Sequence, residues 1–332
     1  MNVLVTGGGG FLGSAIVRML IAAGHRARSF SRNDYPHLHA AGVETQRGDV
    51  ADAQALRRAA SDCDAVIHTA AKAGVWGAAE DYRRINVQGT ENVIQVCRDL
   101  KIGRLVYTSS PSVVFNGNDE DGITETTPYA SRYLAHYPRT KALAEQAVLA
   151  ANDAQLATVA LRPHLIWGPG DPHLVPRILS RARAGKLALL GDGSNRVDST
   201  FVDNAAHAHL LALGKLTADT SCAGKAYFIS NGEPMTMEQL LNSILAAAQL
   251  PPVTRHVNAQ LAYALGAMLE TAYRILQLRN EPLMTRFVAR QLSTHHWFRL
   301  DNARRDLGYQ PRISLAQGFE QLRVSLSGAA KH

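Results

Sequence analysis

The chain has 332 residues, 46% of them hydrophobic and 19% charged, with a formal net charge of +7. That supplies core material for about two domains and leaves too little charge for a disordered chain. The basic surplus is spread without a dense run, which argues against a nucleic-acid surface and for general solubility with some attraction for anions.

Three cysteines, Cys63, Cys97 and Cys222, show no CxxC spacing and are too few for a disulfide framework, so a reducing compartment is expected. The start of the chain lacks the basic and apolar regions of a signal peptide. No segment approaches the roughly 18 apolar residues that span a bilayer. The expectation is a soluble, cytoplasmic protein with no metal site, since no carboxylate–histidine cluster is apparent.

In chain order, a strand over Asn2–Thr6 feeds Gly7-Gly8-Gly9-Gly10-Phe11-Leu12-Gly13, which opens a helix. Leu12, Ile16, Met19, Leu20 and Ala23 place an apolar stripe on that helix. Strands follow over His25–Phe30 and Val43–Arg47, a helix starts near Asp52, and a further strand runs over Ala65–His68. Ile85, Gly89, Val93, Val96 and Leu100 mark another helix. A strand over Arg104–Thr108, a helix from Pro138 to about Ala151 and a strand over Ala157–Arg162 complete the series. Alternating strands and helices give an α/β fold with a doubly wound parallel sheet. After Trp167 a breaker cluster introduces shorter elements. Residues 1–167 therefore form a dinucleotide-binding domain and 168–332 a smaller α+β substrate lobe, with parts of 197–232 returning to the large sheet.

The glycine spacing is that of a dinucleotide loop. Gly7 permits a tight turn, Gly10 lets backbone approach a pyrophosphate, and Gly13 allows close helix–sheet packing. At the end of the second strand, Ser31 and Arg32 stand where a carboxylate would select NAD(H), so NADP(H) is favoured. The alternative has Asp34 reaching the ribose and Arg32 merely solvated. Asp49 either accepts from the adenine or caps the helix near Asp52.

Of ten tyrosines, only Tyr137 is followed four residues on by a lysine, Lys141. That spacing shares a helix face, and an ammonium beside the phenol would favour the phenolate. Ser110, with Ser112 as the alternative, ends a strand where such sheets present ligands; either hydroxyl polarises a carbonyl or only caps a turn. Asn86 either orders a water for Lys141 or ties its helix to a neighbouring segment. His164 and Arg196 are candidates for a substrate carboxylate, Arg196 otherwise being a solvated loop charge. Arg177, Arg181 and Arg183 read as an exposed helical face. Over 258–278, Leu261, Leu265, Met268, Leu269, Ala272 and Ile275 repeat at helical spacing. That stretch is a lid or core helix over an alkyl cleft, an interfacial membrane helix, or a docking surface.

These residues resemble the extended short-chain dehydrogenase/reductase superfamily, in its 3β-hydroxysteroid dehydrogenase-like branch. The resemblance rests on TGGGGFLG (6–13), GDVAD (48–52), NVQGTENV (86–93), YTSSPSVVFNG (107–117) and YPRTKALAEQAVLAAN (137–152). LRPHLIWGPGDPHLVP (161–176), VDSTFVDNAAHAH (197–209), FISNGEP (228–234) and LGYQP (307–311) extend it over nearly the whole chain. It implies a Rossmann fold and a catalytic set of Ser110, Tyr137, Lys141 and Asn86. The implied cofactor contacts are Gly7, Gly10, Phe11, Leu12, Gly13, Ser31, Arg32, Asp49, Val50, Ala70, Ala71, Lys72, Tyr137, Lys141 and Pro163. Within the branch, AAKAGVWG (70–77) and DYPHLHAAGV (34–43) are most similar to bacterial 2-alkyl-3-oxoalkanoate reductases of long-chain olefin biosynthesis. Sterol-4-carboxylate 3-dehydrogenases are the alternative, and a redox sensor binding NADP(H) without turnover is the non-enzyme one. The resemblance further implies a homodimer and assembly with a β-lactone synthetase and a β-lactone decarboxylase, around a long-chain β-keto or β-hydroxy acid.

Overall fold

The computed structural model describes residues 1–278 and 280–329. Residue 279 and the last three residues of the expected lobe lie outside it. The large sheet comprises β1 (Asn2–Thr6), β2 (Arg26–Ser31), β3 (Glu44–Arg47), β4 (Ala65–His68), β5 (Arg104–Thr108), β6 (Ala157–Pro163) and β7 (Lys225–Ile229). Its order is β7-β6-β5-β4-β1-β2-β3, with all neighbours parallel. Such a sheet is covered on both faces, which is why Val3, Leu4 and Val5 form an unbroken apolar run. Val3 and Val5 join one core and Leu4 the other.

Helices α1 (Phe11–Ala22), α2 (Ala53–Ala60), α3 (Gly89–Asp99) and α4 (His136–Ala150) belong to this unit. The lobe carries α5 (Leu174–Arg183), α6 (Val202–Lys215), α7 (Met237–Ala247), α8 (Ala259–Ile275), α9 (Arg286–Ser293) and α10 (Leu315–Ala329). Chain order reverses where β1 lies between β2 and β4, which opens a crevice at the carboxyl ends of the strands.

The two units exchange segments. Residues 225–229 return to the large sheet as β7, and α6 packs on α1. In the other direction, Glu120–Ile123, expected in the first domain, pairs with His296–Phe298 in a four-stranded sheet of the lobe. That crossing carries a side chain from the first half of the chain into the lobe's side of the site.

Two sequence expectations need correction. The helix read through Ile85 is not regular, because Arg83–Gln88 forms a π-helical turn before α3. Such turns shift the side-chain register and are frequent at functional sites. The apolar repeat of α8 does not mark a core-facing side: Leu261 is 69% exposed, Met268 64% and Ile275 75%. The buried residues of this helix are Ala262, Gly266 and Glu270. A Cβ on Gly266 would lie 2.7 Å from the Thr285 carbonyl carbon, so the helix is held closely by its small-residue face. Glu270 pairs with Arg286 of α9 at 2.7 Å. No helix among the described residues is long and apolar enough to cross a membrane.

Candidate active site

The crevice at the switch point encloses about 450 Å³ and takes in every sequence-named cofactor residue except Lys72 and Pro163. Its floor is the glycine loop. Gly7 adopts φ +72°, and a Cβ on Gly13 would lie 2.1 Å from the Gly7 carbonyl oxygen. Helix α1 begins here with Gly10 as its N-cap and no side chain capping it, so its first N–H groups face the crevice. These features fit a dinucleotide pyrophosphate against the loop.

At the adenosine end, Ser31 and Arg32 both line the crevice. Asp34 does not; its carboxylate accepts from the Tyr35 N–H and pairs with His39 at 2.6 Å. Asp49 does not cap a helix. That role belongs to Asp52, which accepts from the Gln54 and Ala55 N–H groups. Asp49 instead accepts from Ala51 N and Arg84 Nη1, both at 3.0 Å. Burial would raise its pKa, but the Ala51 N–H, the Arg84 guanidinium and the charge of Arg32 bring it below the ordinary value.

Tyr137 stands at the inner end of the crevice and also lines a second cavity of about 310 Å³, which contains Ser110, Ser112, Pro163 and His164. Ser109, Thr108 and Ile166 share this junction. Ser110 Oγ lies 2.9 Å from Ser112 Oγ and accepts from the Ser112 N–H, so Ser110 both caps the Pro111–Val113 turn and faces the cavity. Burial raises the Tyr137 phenol above 10, and a hydrogen bond with Ser110 pulls it partly back.

Lys141 departs from expectation. Its buried ammonium donates to the Thr108 carbonyl and lies 4.2 Å from the centroid of the Tyr107 ring. Desolvation lowers its pKa to about 7, with Glu145 opposing. The influences on the Tyr137 phenol are burial and Ser110, not this ammonium.

The Asn86 amide ties its helix to neighbouring segments. Its Oδ1 accepts from Lys72 N at 2.7 Å, and its Nδ2 donates to Lys72 O and Thr140 Oγ1. It thus fixes the loop after β4 and the first turns of α4. The Lys72 ammonium lies 3.5 Å from Asp81. Pro163 lies on the second cavity only.

Of the carboxylate candidates, His164 lines the second cavity and its buried Nε2 has no partner there. Burial and the neighbouring His296 hold this imidazole neutral. Arg196 lines neither cavity; its guanidinium stacks over Trp297 at 5.2 Å, as a loop charge would. Sequence reasoning missed Glu120, Phe287 and Gln291, which line the second cavity from the lobe. Glu120 Oε2 lies 3.2 Å from His296 Nδ1, and Glu120 Oε1 is buried without a partner. Thr294 gives its hydroxyl proton to the Arg290 carbonyl, so His296 Nε2 must donate to Thr294. That leaves Nδ1 as the ring atom facing Glu120. No local motif announces this pair, since its members are 176 residues apart. Among the described residues no group of three His, Cys, Asp or Glu is arranged for a metal ion.

The profile of the 3-beta hydroxysteroid dehydrogenase/isomerase family matches residues 4–256. A 2-alkyl-3-oxoalkanoate reductase of Stenotrophomonas maltophilia (strain K279a) is 53% identical, over 98% of this chain and 99% of that protein. A decarboxylating sterol-4-alpha-carboxylate 3-dehydrogenase of Mus musculus is 35% identical, over 96% of this chain and 88% of that protein. The solved structure of MoeE5 in complex with UDP-glucose and NAD superposes with a TM-score of 0.76 at 25% identity, covering 99% of this chain and 100% of that one.

Proposed function

Because the chain belongs to the 3-beta hydroxysteroid dehydrogenase/isomerase family of NAD(P)-dependent oxidoreductases, we propose that it reduces a 2-alkyl-3-oxoalkanoate to the 2-alkyl-3-hydroxyalkanoate with NADPH. The observation that carries this reading is the position of Tyr137, a phenol at the junction of the dinucleotide crevice and a separate cavity holding Ser110. A carbonyl carbon at that junction meets the two groups needed to turn it into an alcohol.

The glycine loop and the free N–H groups of α1 hold the pyrophosphate, and Arg32 with Ser31 receives a 2′-phosphate. NADPH supplies the hydride. Ser110 donates a hydrogen bond to the substrate carbonyl oxygen, and Tyr137 protonates that oxygen as charge develops on it. Lys141, lining the crevice beside Tyr137, hydrogen-bonds the nicotinamide ribose. In the second cavity His164, whose buried Nε2 has no partner in the protein, offers a hydrogen bond to the substrate carboxylate. A β-keto acid loses CO₂ readily while its ketone persists, so reduction preserves the carboxylate. This reading places the reaction in long-chain olefin synthesis, where a homodimer and partner enzymes acting on β-lactones are further proposals.

The test is NADPH oxidation with a synthetic 2-alkyl-3-oxoalkanoate, beside NADP⁺ reduction with a 4-carboxysterol. Turnover of the alkyl acid is expected. Turnover of the sterol alone would reassign the chain to the sterol dehydrogenases.

A further inference from the structure

A third cavity, of about 210 Å³, lies between α5, α7 and α9. Ile178, Leu240, Leu241 and Val288 form its walls, and Leu165, Phe287 and Gln291 line both it and the cavity of Ser110 and Tyr137. We propose that this space is the seat of one alkyl chain of the substrate, entered from the catalytic cavity past Leu165 and Phe287. The proposal rests on the β-keto acid reading above and assigns where that substrate's hydrocarbon goes.

Three observations support it. Most of the lining is apolar, with Arg177, Arg181, Glu281 and Gln291 as its charged or amide members, so it suits a hydrocarbon better than ordered water. An apolar void of ~150 Å³ already accepts a benzene-sized ligand, and this cavity is larger. Leu165, at the junction, holds φ +40°, a conformation costly for a leucine. That backbone places its side chain between the two cavities.

The charged lining groups, Arg177, Arg181 and Glu281, are each partly exposed. Arg177 pairs with Glu281 at 2.7 Å, and Arg181 donates to the Leu283 carbonyl at 3.2 Å. These contacts fasten the segment before α9, whose Pro282 and Leu283 close the cavity from outside. Arg177 and Arg181 are thus not simply an exposed helical face. An ion pair this exposed is weak, so the closure can yield to a chain longer than the cavity.

Binding of saturated 2-alkyl-3-hydroxyalkanoates of graded chain length to the NADP⁺-loaded protein, by calorimetry, tests the assignment without requiring turnover. Affinity should rise by up to about fourfold per methylene, the value of burying one, until the cavity is full. Val288→Trp, which fills the space from a half-buried position, should flatten that dependence. Ile178→Ala, which enlarges it, should carry the rise to longer chains. A full length dependence in folded Val288→Trp, or the same affinity for all lengths in the unaltered protein, would overturn the assignment and leave the proposed reaction standing. Length-dependent binding lost in Val288→Trp, with no reduction of any oxo acid, would keep the cavity and remove the reaction.

Discussion

Lys141 lies over the face of Tyr107, its ammonium 4.2 Å from the ring centroid, rather than against the Tyr137 phenol one helical turn away. The ring's negative face and the Thr108 carbonyl partly replace the water this ammonium lost on burial. The replacement is incomplete, because burial still draws its pKa from 10.5 to about 7.

A stability slope follows. Between pH 7 and 10.5 the unfolded chain binds a proton at this lysine that the folded chain does not. Stability from this group therefore rises with pH across that window, by at most about 1.4 kcal/mol per unit, and is lost as pH falls through 7. Lys141→Met should remove the slope. Urea unfolding of the cofactor-free protein from pH 6.5 to 9.5 measures it, and an unchanged slope in the variant would place its origin elsewhere.

Tyr137→Phe should lower turnover by about 10²–10⁴-fold, the range for loss of a general acid. NADPH affinity, measured by fluorescence titration, should change little, since the phenol oxygen also faces the second cavity. Because burial holds the phenol above 10, the reductive rate should not fall through loss of the Tyr137 proton below pH 10. A tenfold loss of NADPH affinity in the variant would make Tyr137 chiefly a cofactor residue.

The sheet and the glycine loop were legible because short-range patterns specify them. A buried parallel strand such as Asn2–Thr6 is continuously apolar, and Gly13 answers to one close backbone contact. Tyr137 and Lys141 were legible through their spacing. The direction of Lys141 was not, because it depends on Tyr107 and Thr108 from another strand. The same holds for Glu120 and His296, which meet only when 120–123 pairs with 296–298. The apolar stripe of α8 misled for a related reason. Gly266 and Glu270 on its other face fit a close neighbour and an arginine that the local pattern does not contain.

Arg32 is exposed, so its contribution to binding is screened and modest. Arg32→Ala should weaken NADPH by about tenfold, near the low end for a charge-assisted hydrogen bond, while NADH changes less than twofold. Steady-state KM values for the two cofactors decide it. Equal losses for both would mean that Arg32 does not read the 2′-phosphate.

Glu120 carries the last prediction. Burial raises its carboxyl pKa above 4.5, with the hydrogen bond to His296 opposing. Between 4.5 and the raised value the folded chain holds a proton that the unfolded chain has lost. Stability from this group is therefore greatest below pH 4.5 and declines as pH rises through the folded pKa. Glu120→Gln keeps the shape and removes the titration, so it should unfold at higher urea than the unaltered protein at pH 8 and lose that part of the pH dependence. An unchanged urea midpoint at pH 8 would mean that the ionised Glu120 carboxylate is compensated where it stands, by its contact with His296.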